Sequence, residues 1–162
     1  AAMPVLFVEL QSGQNGTLTP YPGQGVGQTW LGADGATITL DQGVLKASRG
    51  MGDDLMGTSS SMPKWSDIHE NNTKYLKKLY HLGGNNKTRL SILKCEIKEN
   101  EQTKKIKIWQ VSFDVAEYNE SCFQNGEVLN NTYYVDEKKV VRRSTQYHSE
   151  TIGYILIERL DR

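Results

Sequence analysis

The sequence contains few of the residues on which enzymes and metal sites most often depend. There are only three histidines and two cysteines among its 162 residues. His69, His81 and His148 do not have the spacing of an HExxH zinc motif, and Cys95 and Cys122 do not form a CxxC pair. We therefore interpret the histidines as surface or packing residues and expect no metal site.

Motifs for covalent or phosphate chemistry are missing as well. No serine lies in a GxSxG nucleophile elbow, and no GxGxxG segment stands between a predicted strand and a helix. The sequence displays no carboxylate pair of the kind that glycosidases use, and the adjacent Asp53 and Asp54 are more typical of a turn than of a cation site. These absences predict a protein that is not an enzyme and binds no cofactor.

Net charge and long apolar runs are also absent. Nineteen lysines and arginines balance nineteen aspartates and glutamates, so no overall field attracts nucleic acid. No apolar run approaches the roughly 20 residues that a transmembrane helix needs. We expect no nucleic acid partner and no membrane-spanning helix.

The sequence does contain a succession of short β-prone runs separated by turn residues. Residues 4–10 form a buried apolar run, 14–28 favour a loop or an irregular edge segment, and 28–49 contain three runs joined by glycine-containing turns. The serines at 59–61 are interpreted as exposed loop. Further runs follow without a long strand–helix–strand repeat. The pattern predicts a mainly β fold, one domain over residues 1–162 in which an antiparallel sheet curls into a barrel or a sandwich with little helix.

Two features stay open from the residues alone. Residues 66–82 combine an approximate helical stripe with a segment that can also be extended, so periodicity does not separate helix from strand. Cys95 and Cys122 lie in separate predicted strands, and their positions are consistent with a structural disulfide or with two buried free thiols.

Several motifs together resemble those of a known family. Residues 33–57 read ADGATITLDQGVLKASRGMGDDLMG after a tryptophan-containing strand, residues 133–136 read YYVD, and residues 143–147 read RSTQY. This set resembles the YjbF/GfcB family of group 4 capsule polysaccharide lipoproteins over about residues 28–160. The signature positions are Asp34, Gly35, Arg49, Gly50, Asp53, Asp54 and Asp136.

The resemblance implies a function and a location. It implies a non-catalytic lipoprotein, anchored at the periplasmic face of a Gram-negative outer membrane, that assists secretion or assembly of capsule or exopolysaccharide. Polysaccharide export proteins or the polysaccharide itself are the implied partners. An N-terminal lipid is the implied membrane anchor, and we expect its signal peptide and acylated cysteine to lie outside these 162 residues. The alternative is a lipid- or glycan-binding carrier with an apolar cavity.

The resemblance also implies two local features. Members of the family carry a cysteine pair placed like Cys95 and Cys122, which implies a disulfide and agrees with an oxidising periplasm. The resemblance favours a strand over a helix for Lys74–Leu82.

Aromatic and arginine side chains are the candidates for contact with a glycan or a partner protein. Adjacent residues of a strand point to opposite faces, so Tyr133 and Tyr134 cannot both face one groove. A filled core with an exposed aromatic and basic face favours the assembly role, whereas an apolar cavity of roughly a few hundred Å3 favours a carrier. The candidates are Trp30, Trp65, Trp109, Tyr134, Tyr147, Arg142 and Arg143.

Overall fold

The protein is built almost entirely of β-strands. The computed structural model describes residues 3–23 and 25–161, and these form twelve strands and one short 3-10 helix at Trp65–Asp67. No helix in these two ranges is long and apolar enough to cross a membrane. The strands are β1 (Val5–Leu10), β2 (Asn15–Tyr21), β3 (Gln28–Gly32), β4 (Thr37–Asp41), β5 (Val44–Arg49), β6 (Leu55–Ser60), β7 (Thr73–Leu82), β8 (Thr88–Ile108), β9 (Val111–Gln124), β10 (Glu127–Asp136), β11 (Val141–Ser149) and β12 (Gly153–Leu160).

The twelve strands form one antiparallel sheet in which strands adjacent in sequence are also adjacent in space. β12 also pairs with β1, with Leu160 opposite Val5 and Ile155 opposite Leu10, so the sheet curls round on itself. Among the described strands, only β5 and β6 are consecutive without a shared ladder. The sheet is nearly closed into a barrel, which confirms the predicted antiparallel fold with little helix.

Side chains, in place of a backbone ladder, join β5 to β6. Arg49 Nη1 donates to the carbonyl oxygen of Leu55 at 2.8 Å. The amide of Leu55 donates to Ser48 Oγ at 3.1 Å, and Thr58 Oγ1 donates to the carbonyl oxygen of Lys46 at 3.1 Å. We call this junction the seam. It provides partners for backbone groups on two strands that would otherwise be open edges of the sheet.

Inward and outward side chains alternate along the strands, as the pleat of a sheet requires. On β7, Tyr75, Leu79 and His81 point inward and are buried, whereas Lys74 and Leu76 are exposed on the outside. Apolar inward residues from around the ring form the core. The strand over residues 74–82 that the family resemblance implied is therefore confirmed.

The two ends of the barrel carry different connections. Because the strands alternate in direction, the chain enters β1 at the same end as the β2–β3, β4–β5, β6–β7, β8–β9 and β10–β11 connections. We call this the N-terminal end. The other connections, including β3–β4 and β5–β6, lie at the opposite end.

The β6–β7 connection fills the interior near the N-terminal end. Trp65 and Ile68 of this connection are buried. The Trp65 ring packs against Tyr118 and Tyr133, with both pairs of ring centroids 5.0 Å apart, and Trp65 Nε1 donates to the carbonyl oxygen of Gln42 at 2.8 Å. The connection therefore supplies core residues that the surrounding strands do not.

The segment predicted as a loop or an irregular edge contains an internal strand. β2 pairs with both β1 and β3, and Leu18 is its buried inward residue. Pro20 is tolerated because it lies beyond the residues that pair with β1, so its missing N–H leaves no gap in that ladder. Glycine and proline made this segment resemble a loop. Gln24, in the same predicted segment, lies outside the described residues.

The serines predicted as exposed loop are exposed, but they end an edge strand. Ser59 and Ser60 pair with Lys78 and Lys77 of β7. Polar residues suit this position because the other side of β6 has no ladder. Residues 66–82, for which the sequence left helix and strand open, contain the end of the 3-10 helix and all of β7.

Candidate functional site

A row of polar side chains lines the inside of β11. Its inward residues Arg142, Ser144, Gln146 and His148 are all polar and all buried. Buried polar groups need hydrogen-bond partners, because leaving one unpaired costs the free energy of its lost hydration. Arg142 pairs with Asp136 and Asp161, and His148 contacts Ser48 on β5. Gln146 Oε1 accepts from Tyr133 Oη at 3.4 Å and is thereby linked to a cluster around Glu120, which we call the interior network.

Glu120 of β9 is the centre of the interior network. Its side chain is fully buried, and its Oε2 lies 2.9 Å from Lys77 Nζ. Asn131 Nδ2 donates to Oε1 at 2.8 Å, Tyr133 Oη donates to Oε1 at 3.0 Å, and Tyr75 Oη donates to Oε2. One ammonium group and three hydrogen-bond donors therefore hold a single buried carboxylate.

The network keeps Glu120 ionised. Burial disfavours the charged form, but the Lys77 ammonium and the surrounding donors outweigh burial, so the pKa of Glu120 lies below its usual range. Burial and the Glu120 carboxylate together raise the pKa of Tyr75 and of Tyr133 well above the usual tyrosine value. Glu120 is thus a charged acceptor and the two tyrosines are neutral donors. This is an arrangement for holding a structure together, since no proton in it is poised for transfer near pH 7.

Two β11 side chains reach across the barrel to β5. Gln146 Oε1 accepts from the amide of Leu45 at 2.8 Å, and Gln146 Nε2 donates to the carbonyl oxygen of Gly43 at 2.8 Å. His148 Nε2 and Ser48 Oγ lie 2.7 Å apart. β5 and β11 are six strands apart around the ring. These contacts therefore join opposite walls and flatten the barrel.

His148 is a buried imidazole held between two serines. Its Nδ1 lies 2.8 Å from Ser149 Oγ, and Ser48 contacts the other ring nitrogen. Burial and the neighbouring His81 ring, whose centroid is 5.8 Å away, lower the pKa of His148 to about 4. The ring is therefore neutral at pH 7.

Acidification is expected to destabilise the fold through His148. The unfolded chain takes up this proton near pH 6.5, whereas the folded protein takes it up only near pH 4. Between these values the unfolded state binds more protons, so the free energy of unfolding falls as the pH falls, by roughly 3 kcal/mol in total. Urea midpoints measured from pH 7 to pH 4 test this. His148→Gln should flatten the profile over that window, and an equally steep profile in the variant would contradict the assignment.

The interior leaves little room for a ligand beside the network. A gap of about 20 Å3 is lined by Lys77, Asn131 and Gln146 among others, which is enough for about one water molecule. A larger cleft of about 450 Å3 opens at the end opposite the N-terminal end. The two spaces are separate, so a larger ligand would be held in the cleft and not at the network.

Small residues create this cleft. Its floor is apolar and includes Val8, Leu18 and Ile38, and Asp34 is also among its lining residues. Gly16 leaves the space open, because no atom lies within 4 Å of the place where its Cβ would be. The volume is in the range of small-molecule sites. The cleft is therefore a place in the described structure where the carrier alternative could operate.

Three of the seven predicted contact residues lie in the interior. Trp30 is 1% exposed and Trp65 is 3% exposed, so neither ring is on the surface. Arg142 is buried too, with its Nε donating to Asp136 Oδ2 at 2.8 Å and its Nη1 donating to Asp161. In the described structure these side chains pack the core and pair charges within the chain.

The other four predicted contact residues lie at or near the surface. Trp109 is 47% exposed at the β8–β9 turn. Tyr134 and Arg143 are opposite each other on β10 and β11, and Tyr147 is also half-buried on β11. Arg143 Nε donates to Glu158 at 2.7 Å. The structure thus places Tyr134 and Arg143 opposite each other on neighbouring strands, and it places Trp109 in the β8–β9 turn.

An exposed apolar face, not identified from the sequence, lies outside β7–β10. Its five side chains are each between 43% and 52% exposed. Cross-strand pairing places Leu76, Lys94, Phe123 and Val128 in one row, and Ile92 lies in the next row. We call it the outer apolar face. It consists of Leu76, Leu90, Ile92, Phe123 and Val128.

Cys95 and Cys122 are directly opposite each other on β8 and β9 and form a disulfide. This confirms the pairing that the family resemblance implied. Both cysteines point into the core and are buried. Their sulfurs and the Glu120 carboxylate form the one group in the described ranges whose ligand atoms lie close enough to hold a metal ion. Sulfurs bonded to each other are not thiolate ligands, so the group has no metal-binding chemistry in this state.

Comparison with known proteins identifies the family. The family described as group 4 capsule polysaccharide lipoprotein gfcB, YjbF matches residues 1–160. The chain belongs to this family. A solved structure, the hypothetical lipoprotein YmcC from Escherichia coli (K12), is similar in fold with a TM-score of 0.83 at 16% sequence identity, covering 98% of this chain and 87% of YmcC. No match is found among curated proteins.

Two aspartates of the YjbF signature hold tight turns. Asp34 Oδ1 accepts from the amide of Ala36 at 3.0 Å in the β3–β4 turn. The neighbouring Gly35 has φ of +89°, a conformation that favours glycine. Asp136 Oδ1 accepts from the amide of Val140 at 2.9 Å in the β10–β11 turn. These positions shape hairpins of the lipoprotein fold.

The remaining YjbF signature residues build the seam and the loop beside it. Arg49 joins β5 to β6, and the amide of Gly50 donates to Asp54 Oδ1 at 3.0 Å. Asp53 adopts a left-handed φ of 49° and its Oδ2 lies 3.7 Å from Arg89 Nη2. The RG-x-GDDL segment therefore has an architectural explanation in this structure.

The interior network was not among the predicted site residues. Lys77 lies between the inward Tyr75 and Leu79, and Glu120 lies between the inward Tyr118 and Cys122. Each charge interrupts an apolar alternation of period two. That interruption is the signal in the sequence that would have found both residues.

Proposed function

We propose that this chain is a non-catalytic lipoprotein of the periplasmic face of the outer membrane that assists secretion or assembly of capsule polysaccharide. In this role the outer apolar face binds a partner protein of the export apparatus. The observation that supports the proposal is the face itself, because its five apolar side chains stay half-exposed on a barrel whose interior is occupied by its own network. Exposed apolar patches of this kind mark interaction surfaces.

Lysines around the outer apolar face indicate the chemistry of the partner. Lys74, Lys78 and Lys94 are exposed on the same side of β7 and β8. None of the three forms an ion pair with the described residues. A complementary partner surface is therefore apolar at its centre and acidic at its edge, since charge complementarity steers and orients association.

Substitution of the outer apolar face is expected to impair export while the fold is retained. In a strain that lacks the gene, Ile92→Ser/Phe123→Ser should restore surface polysaccharide to a level severalfold below that of the wild-type gene, because the partner loses its central apolar contacts. Immunoassay of surface polymer measures this. Both side chains point outward, so circular dichroism of the variant should match that of the wild type.

Met56→Ser is the matched control, because Met56 is 41% exposed but lies outside the outer apolar face. It should restore polymer fully. Full restoration by Ile92→Ser/Phe123→Ser would exclude the outer apolar face as the binding surface. Normal polymer in the deletion strain would exclude the capsule role altogether.

The second candidate function is a lipid or glycan carrier, which the 450 Å3 cleft favours. Gly16→Leu fills the cleft, because the glycine has open space beside it. In the same complementation experiment, a carrier role requires that Gly16→Leu fail to restore surface polysaccharide and that Ile92→Ser/Phe123→Ser restore it. The assembly role requires that Gly16→Leu restore surface polysaccharide and that Ile92→Ser/Phe123→Ser fail to do so.

A further inference from the structure

The turn between β8 and β9 has an unusual composition for its geometry. Its two residues, Trp109 and Gln110, have left-handed φ values of 46° and 71°. Two-residue turns of this kind favour asparagine and glycine, and the β9–β10 turn of the same chain uses Asn125 and Gly126 with φ of 48° and 79°. A tryptophan held in this conformation is strained, and its ring is 47% exposed. Such strain points to a use for the side chain.

The rest of the hairpin holds Trp109 in place. The ladder between β9 and β10 ends at Val115 opposite Asp136, so the tip of the hairpin extends beyond β10. Ile106 and Ile108 pack with Leu160 in a second small core, and Arg143 Nη2 donates to the carbonyl oxygen of Lys107 at 2.9 Å. The tip is therefore supported by β11 and β12, and its tryptophan is presented to solvent by a packed structure.

Trp109 lies at the end of the barrel where the chain enters. Leu160, which packs beneath the hairpin, pairs with Val5 at the start of β1. Other large apolar side chains are exposed at this end, with Met3 63%, Tyr21 47% and Val26 64% exposed. This end therefore combines an anchored tryptophan with scattered exposed apolar groups.

Three exposed lysines lie at the same end of the barrel as the tryptophan. Lys107 precedes the turn by two residues, and Lys138 and Lys139 lie in the β10–β11 turn. All three are exposed, and none forms an ion pair within the described ranges. Tryptophan at the headgroup level, with lysines beside it, is the combination that proteins use to hold an orientation at a bilayer surface.

We propose that the N-terminal end of the barrel rests on a phospholipid bilayer and that Trp109 inserts at its interface. The inference rests on the proposed lipoprotein role, since a lipid at the N-terminus would bring this same end to the membrane. It adds a contact made by the protein itself, which fixes how the barrel is oriented. The outer apolar face then stands to the side of the barrel, free to meet a partner.

Quenching of tryptophan emission by brominated lipids tests the orientation. The protein is tethered to vesicles of phosphatidylethanolamine and phosphatidylglycerol that contain a maleimide lipid, either through a cysteine added before Ala1 or through Gly84→Cys in the β7–β8 turn at the opposite end. The native cysteines do not react because they form a disulfide. In the protein tethered through its N-terminus, brominated lipids should quench most of the emission from Trp109. In the protein tethered through Gly84→Cys, they should quench little of it.

Two variants identify the tryptophan that is quenched. Trp30 and Trp65 are buried, so Trp109→Phe should abolish the quenching seen with the N-terminal tether. Trp109→Phe/Phe123→Trp moves the exposed tryptophan to the outer apolar face. With the N-terminal tether, the emission of this relocated tryptophan should not be quenched. Equal quenching from both tethers, quenching of the relocated tryptophan, or no quenching of Trp109 would overturn the proposal. None of these outcomes bears on the polysaccharide assay, so the two proposals fail separately.

Discussion

Replacing Lys77 with methionine is expected to lower the free energy of unfolding by roughly 3–5 kcal/mol, the cost of leaving a buried charge without its partner. Lys77 Nζ lies 2.9 Å from Glu120 Oε2, and the two side chains are 8% and 0% exposed. Tyr75, Asn131 and Tyr133 would still donate to the carboxylate, but they carry no positive charge. Urea denaturation at pH 7 measures the loss.

The double variant Lys77→Met/Glu120→Gln is the control for this experiment. Glutamine keeps acceptor and donor groups at position 120 without the charge, so the double variant should recover most of the stability that Lys77→Met loses. A double-mutant cycle then isolates the coupling between the two residues. A loss below about 1 kcal/mol for Lys77→Met would show that the pair contributes no more than a surface ion pair.

Removal of the disulfide is expected to have the next largest effect. The bond between Cys95 and Cys122 closes a loop with a sequence separation of 27 residues. In the chain-entropy model, opening a loop of that size lowers the free energy of unfolding by about 3.5 kcal/mol, because the unfolded chain gains freedom. The variant Cys95→Ala/Cys122→Ala should show this loss in urea denaturation.

Reduction of the wild-type protein offers a second measurement of the same quantity. Dithiothreitol should shift the urea midpoint of the wild type toward that of Cys95→Ala/Cys122→Ala and should leave the variant unchanged. A wild-type midpoint that does not move under full reduction would show that the hairpin ladder alone holds β8 and β9 together. The chain would then not depend on an oxidising compartment.

Local chemistry explains which parts of the fold were predictable. The β3–β5 meander was predicted because its turns carry Gly35 and Gly43, and glycine is the residue type that most readily adopts their left-handed φ values of 89° and 83°. β2 was missed because its pairing partners, and not its own composition, make it a strand. The strand β7 required the family resemblance, since its apolar spacing fits two periodicities.

The interior network depends on contacts that no local pattern contains. Gln146 and Gly43 are 103 positions apart in sequence, and Ser48 and His148 are 100 positions apart. A sequence can show that a polar residue interrupts an apolar alternation, but it does not show which distant group pairs with it. For the same reason Trp30 and Trp65 were predicted as contact residues, although both rings lie in the core.

The outer apolar face could not be predicted, because the sequence does not decide which side chains of residues 73–82 point inward and which point outward. Once Tyr75 is inward, Leu76 must be outward, and cross-strand pairing then aligns it with Phe123 and Val128. Trp109 was predicted as a contact residue from its type alone. Its strained turn and its position beside the start of β1 became visible only in three dimensions.

The seam between β5 and β6 is the junction at which we expect the barrel to open most easily. Separating β5 from β6 breaks a few hydrogen bonds made through Arg49, Ser48 and Thr58, whereas separating any other pair of neighbours in the described sheet breaks a backbone ladder. Gln146 binds the turn before β5, and His148 contacts β5 itself. Movement of β5 away from β6 would therefore also disturb these contacts between opposite walls of the barrel. We therefore expect local opening of the barrel to begin at the seam, where the Arg49 guanidinium binds the carbonyl oxygen of Leu55.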